Sequence, residues 1–386
     1  MEGLALSGAA KRSNGLNVQM CVLSAIGICF VLLGHISNGS VGIGTFYQLF
    51  PYYSFHLALF LFVSGYFHRE EREAQPLRYL QKKAASLLLP YYLINGAFYL
   101  FQTALRPLGY TFGHPFRLIE WLLGPWTQLQ PAALSIPTWY LFALFLAECM
   151  WLALRLAARA VIRREAAREW TLLLLTLALG MICITLANAK PRAEAALVYL
   201  RSVVMLPFLQ AGMLYRKKLE AHDSLPSLPY FLLVFAAQYV MIFLFREHLK
   251  PGLWGLVDFD RSGIGFYLLG LNGIALYLRL SRLIALPAAN SRLILSIGQH
   301  TRQIMSYHLF GYFCLNTMLF ILHRLGRFGM LIGSFDEELY FSRIYYTCTA
   351  DTRMIPLYLA AGLAVSLLAA RIGRILNGLI RKRENN

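Results

Sequence analysis

Apolar runs long enough to cross a hydrocarbon layer of about 30 Å recur along the chain at residues 20–37, 50–67, 84–105, 138–158, 169–188, 195–215, 228–246, 262–280, 303–322 and 354–378. They are far longer than the strands of a membrane barrel. Backbone polar groups in lipid must be satisfied within the segment that crosses it, so each run is expected to be a helix. The pattern predicts an all-α polytopic transmembrane bundle of about ten spans, a single domain over residues 1–386. No internal repeat, low-complexity tract or soluble domain is visible. The gaps 106–137 and 323–353 are the only room for structure outside the membrane.

Composition agrees: 58% of residues are hydrophobic and 14% charged, which excludes an ordinary soluble protein. Placing the N-terminus inside assigns Lys11, Arg12, the Arg69–Lys83 loop, Arg159 to Arg168, Arg216 to Lys218, Arg282, Arg292, Arg302 and Arg381 to Arg383 to one side. The other side then holds roughly half as many basic residues, so the positive-inside rule makes both termini cytoplasmic. The formal charge of +17 therefore reports topology and contact with anionic membrane lipids rather than nucleic-acid binding. The first run is too long for a signal-peptide core and ends in Gly34-His35 without a cleavage pattern, so it is read as a retained span. The cysteines show no CxxC spacing and are read as packing residues, with no metal site expected.

The polar residues inside the runs then carry the functional question. His35 lies about fifteen residues, or roughly 22 Å, along an outgoing helix. His56 lies about six residues into the next, ingoing one, so the two are predicted at matching depth in the outer third. A histidine in lipid is either a structural ring bonded across a helix pair or a proton-transfer group. Glu148, in "WYLFALFLAECMW", must be neutral or paired, whether structurally or in a proton relay. Arg201 is expected to snorkel towards the outer interface. His308, in "MSYHLFGYF", is predicted in the inner half, too far from His35 for a shared proton transfer. Arg78, Lys82 and Lys83 precede the third run, where they either anchor it to headgroups or bind an anionic cytoplasmic ligand.

"LSAIGICFVLLGH", "FHLALFLFVSGYF", "YLQKKAASLLLPYY", "TWYLFALF" and "IGQHTRQIMSYHLFGYF" resemble, in order, the successive motifs of the acyltransferase-3 membrane O-acetyltransferases, nearest the fucose 4-O-acetylase-like branch. The resemblance runs from about residue 18 to 316. It implies transfer of an acetyl group from cytoplasmic acetyl-CoA to a sugar hydroxyl of a surface glycan or its lipid-linked precursor, in the cytoplasmic membrane of a bacterium. By position, His35 matches the family's histidine closing span one, and His56 with Ser64, Gly65 and Tyr66 the second-span motif. Lys83 matches the basic position before span three, Trp139 the fourth-span tryptophan, and His308 a penultimate-span histidine.

In that reading His35 is the general base, and His56 or Glu148 orients the acceptor or relays the proton. Arg78, Lys82, Lys83 and Arg302 hold the donor's phosphates. One departure stands out: the family places Arg or Lys eleven positions before the span-one histidine, on the same helix face, and here that position is Ser24. Either another cation such as Lys82, Lys83 or Arg302 supplies the charge, or the donor site is altered, or the protein no longer catalyses. The loss motivates a second class, an exporter or flippase of a glycan or lipid-linked sugar; a scaffold for glycan assembly is a third. The segment "GSFDEELYFSRIYYTCTADTR" suits either a hydroxyl-rich ligand or an interfacial aromatic belt.

Overall fold

The computed structural model describes residues 15–36, 48–128, 132–189, 193–326, 335–343, 345–348 and 352–384. Asn17 opens α1 (Val18–Ile36), its Oδ1 accepting from the Met20 amide at 3.1 Å and so satisfying one donor that a helix start leaves free. The second apolar run departs from expectation. Pro51 and the aromatic residues after it give one 3-10 turn, Tyr52–Ser54, and Phe55 leaves helical geometry at φ −138°. Only then does α2 (His56–Tyr66) begin, at 11 residues too short for a full span.

The long helices that remain follow the predicted runs, with shorter ones between them. α3 (Pro76–Lys83) passes through a π-helical turn, Ala84–Leu88, into α4 (Leu89–Leu105). α5 (Leu118–Thr127) lies in the first long gap, and the turn Ala133–Thr138 leads into α6 (Trp139–Val161). Then come α7 (Glu165–Asn188), α8 (Glu194–Val204) and α9 (Leu206–Leu214), the last pair divided just before Pro207. α10 (Ser227–Phe245), α11 (Ile264–Ala288), the short α12 (Arg292–Gln299), α13 (Thr301–Arg324), the small α14 (Glu337–Ser342) and α15 (Ile355–Glu384) complete the order. Among the described residues nine helices are long and apolar enough to cross a membrane, and α2 accounts for the missing tenth.

α2 does not need full length because it is an interior element, packed against α1, α9 and α11 rather than facing lipid. Gly65 and Gly212 let it approach α9 closely: a Cβ on Gly65 would lie 1.8 Å from the Leu209 carbonyl oxygen, and one on Gly212 1.9 Å from that of Phe62. The glycine of the Ser64-Gly65-Tyr66 stretch is thus a helix-crossing point, as small residues commonly are in membranes. Gly65→Val is expected to force the pair apart and lower stability by about 1–3 kcal/mol. The thermal unfolding midpoint in detergent measures it, and an unchanged midpoint would mean that the crossing is looser than described.

The start of α1 and the basic loops share one end of the bundle, and α13 and α15 run antiparallel so that the described chain also finishes there. Tyr66 donates to Glu220 at 2.9 Å and accepts from Asn17 at 3.2 Å, tying α1, α2 and the 220 region together. Beside it lies a buried ion network centred on Arg155, which is 1% exposed. Its Nε donates to Glu73 at 2.5 Å, Nη1 to Glu169 at 2.8 Å and Nη2 to Glu70 at 2.9 Å. Gln210 adds an acceptor at 3.3 Å and itself donates to Glu169 at 2.8 Å. One guanidinium therefore binds the loop after α2 to α6, α7 and α9.

Candidate active site

The site is assembled at the opposite end from that network, where α1 finishes and α2 starts. A cavity of about 330 Å³ is lined there by His35 and His56, by Tyr53, Trp139, Tyr140 and Tyr345, and by the loop Pro251–Trp254. The loop is held as a tight turn by paired hydrogen bonds between Gly252 and Val257, at 2.9 and 3.1 Å. The Tyr345 ring stands edge-on to His35 with centroids 5.6 Å apart, and Tyr53 stands similarly to His56 at 5.3 Å.

The ring protons follow from the partners. His35 Nδ1 is 2.8 Å from the Val31 carbonyl, His56 Nδ1 2.7 Å from that of Tyr52, and His308 Nδ1 2.8 Å from that of Ile304. A carbonyl oxygen only accepts, so in each case Nδ1 carries the hydrogen and, in the neutral ring, Nε2 keeps the lone pair. His308 Nε2 lies 3.4 Å from His35 Nδ1. The Nδ1–H of His35 thus faces two acceptors, which fixes its tautomer and leaves its Nε2 as a proton acceptor. When that Nε2 takes a proton, the Val31 carbonyl and His308 stabilise the imidazolium, the service a buried carboxylate performs in hydrolase triads.

This contact corrects the expected position of His308. Depth counting assumed that every helix enters at one level, but Gly298, just before α13, packs directly against the Cys21 carbonyl of α1. From that shared level His308 is ten residues along and His35 fourteen, a difference of about 6 Å that two imidazole side chains bridge. His308 is fully buried behind His35, and Tyr312, one turn on, donates to the Leu32 carbonyl at 3.0 Å.

Other candidates are placed elsewhere. Glu148 lies nine residues after Trp139 on α6, about 13 Å further down the helix. There it accepts from Tyr79 and Lys83 and does not reach the histidines. Lys83 is consequently committed to Glu148, while Arg78 and Lys82 are exposed on α3. Arg302 donates to the Ser86 carbonyl at 2.8 Å, bringing the start of α13 to the π-helical turn after Lys83. Ser64 is half-buried, and Ser24 donates to its own helix at the Met20 carbonyl, 2.8 Å away. Arg201 does not snorkel: it is 1% exposed, with its guanidinium 4.9 Å from the Trp139 ring. The expected snorkelling fails because α7 and α6 flank α8 and close off the path to the interface.

Reading the sequence missed Tyr53, Trp254 and the 251–254 turn as cavity walls, since a loop residue carries no periodic signal of the cavity it will close. Tyr345 fell within the aromatic segment already singled out, and the structure seats it over His35.

Among curated proteins no relative matches the chain, and no solved structure does. The model of the acyltransferase-3 family, described as an acyltransferase domain, matches residues 22–371. That span holds every residue of the histidine site and nearly all the described helices, and with it the chain belongs to the acyltransferase-3 family of membrane acyltransferases.

Proposed function

We propose that the protein is an O-acetyltransferase of the bacterial cytoplasmic membrane, moving an acetyl group from acetyl-CoA to a sugar hydroxyl of a surface glycan or its lipid-linked precursor. The observation that carries this reading is the locked His35 tautomer, with His308 behind it and the cavity in front. In the proposed step the acceptor oxygen attacks the thioester carbonyl as His35 Nε2 takes the hydroxyl proton. The C–S bond breaks, the thiolate leaves, and the proton passes to it, giving an ester and free CoA. His56, which also keeps a free Nε2 at the cavity wall, holds a neighbouring hydroxyl. Trp139, Tyr140, Trp254 and Tyr345 offer the aromatic faces that sugars stack on.

The donor's phosphates are assigned to the basic end, where Arg78, Lys82 and Arg302 present cations at the α3 and α13 edges. The motif order favours a fucose 4-O-acetylase-like acceptor chemistry. Membranes containing the protein, given acetyl-labelled CoA, are expected to deposit label in extracted glycan or lipid-linked sugar. Lys82→Ala combined with Arg302→Ala is expected to raise the KM for acetyl-CoA about tenfold, equivalent to roughly 1.4 kcal/mol, with little change in kcat. An unchanged KM would remove the phosphate assignment. Donor-independent movement of labelled glycan into vesicles, without acetyl incorporation, would instead establish an exporter.

A further inference from the structure

Arg155 and Arg201 are equally buried, each 1% exposed, but their surroundings differ. Arg155 is enclosed by three carboxylates. Arg201 has no ion-pair partner among the described residues, and its Nε and Nη1 have no hydrogen-bond partner. It sits on α8 in an apolar run long enough to cross the membrane, where an uncompensated charge is costly and marks function. Its one favourable contact of note is the Trp139 ring at 4.9 Å. A cation–π contact alone does not offset the desolvation of a guanidinium.

The location narrows what the missing partner is. Trp139 is itself a wall of the histidine cavity. Its neighbour Tyr140 donates to the carbonyl of Leu57, the residue after His56, at 3.4 Å, so this wall stands at the level of the histidines. The guanidinium is therefore one side chain behind the cavity, at the depth where the acceptor would react and on the side away from the basic end. We propose that Arg201 is an anion site that takes a carboxylate or phosphate group of the acceptor glycan, delivered from the cavity past Trp139. This rests on reading the cavity as the acceptor site, and it adds a specificity: the acceptor is an acidic or phosphate-bearing sugar, with its charged group within a residue or so of the modified hydroxyl.

The test is binding, independent of turnover. Wild type, Arg201→Met and Arg201→Lys are placed in phosphatidylcholine nanodiscs, and thermal unfolding midpoints are read with glucose, glucuronate and glucose 1-phosphate at matched ionic strength. Glucuronate or glucose 1-phosphate is expected to raise the wild-type midpoint by about 2–4 °C beyond glucose. Arg201→Met should abolish that difference and Arg201→Lys keep part of it. Without ligand, Arg201→Met should unfold at or above the wild-type midpoint, since it removes a charge that has no counter-ion.

Equal anion effects in wild type and Arg201→Met would overturn the site. So would a midpoint that responds only to phosphatidylglycerol added to the nanodisc and not to the soluble sugars, which would assign Arg201 to a lipid headgroup. An anion effect without acetyl transfer would leave the site standing and remove the proposed reaction. Acetyl transfer with no Arg201-dependent anion effect would do the reverse.

Discussion

Membranes carrying His35→Ala are expected to incorporate labelled acetyl groups some 10²–10⁴-fold more slowly than wild type, the range lost when a general base is removed. The geometry also predicts a graded series. His308→Phe keeps bulk behind His35 but removes the acceptor facing its Nδ1–H, so transfer should fall less than in His35→Ala. His308→Gln, whose amide oxygen again offers an acceptor, should recover part of that loss. A purely packing role for His308 would rank Phe at or above Gln. Acetyl transfer that persists in His35→Ala at near the wild-type rate would remove His35 as the base and return the histidine pair to a structural role.

The second large effect belongs to stability. Arg155→Met leaves Glu73 and Glu169 buried and Glu70 beside them, all stripped of the guanidinium they share. Breaking a buried ion cluster by removing one partner costs about 3–5 kcal/mol, so little folded protein should survive extraction. Adding Glu73→Gln and Glu169→Gln should restore part of it, because the remaining amides no longer repel. Size-exclusion profiles in detergent read both results, and a monodisperse Arg155→Met protein with a wild-type midpoint would contradict the network's importance.

The same cluster sets an acid limit. Burial alone would raise the Glu73 carboxyl, but the His68 hydrogen bond and the Arg155 guanidinium outweigh it and hold the folded-state value below 4.5. The stabilisation from Glu73 is therefore fully present above pH 4.5 and is lost as pH falls through the lower folded value. Unfolding midpoints of the wild type should decline across that acid window, and a Glu73→Gln variant should decline less.

The long spans were legible because lipid demands unbroken apolar helices, and their length in sequence is their length in space. The half-length of α2 was not, since "PYYSFHLALF" is as apolar as a full span and only backbone geometry at Phe55 shows where helix begins. His35 and His56 were legible as a pair because consecutive antiparallel helices share an end. His308 was misplaced because sequence carries no record of where α13 starts in depth, which Gly298 against Cys21 decides. Arg201 was misjudged for a related reason: whether a long cation reaches water depends on which helices flank it. Glu148 and Lys83 were noticed separately, 65 positions apart, and nothing in either motif announces that they meet.

The brevity of α2 bears on how the two ends of the molecule communicate. Its 11 residues span about 16 Å, roughly half the thickness of a hydrocarbon core. In the proposed reaction, an acyl group passing along α2 from the basic end to the histidine cavity would cover about 16 Å of helix rather than a full span. If water fills the cavity from the outer side, the membrane voltage would fall over that shorter path, and a charged group moving along it in the proposed reaction would make turnover sensitive to membrane potential.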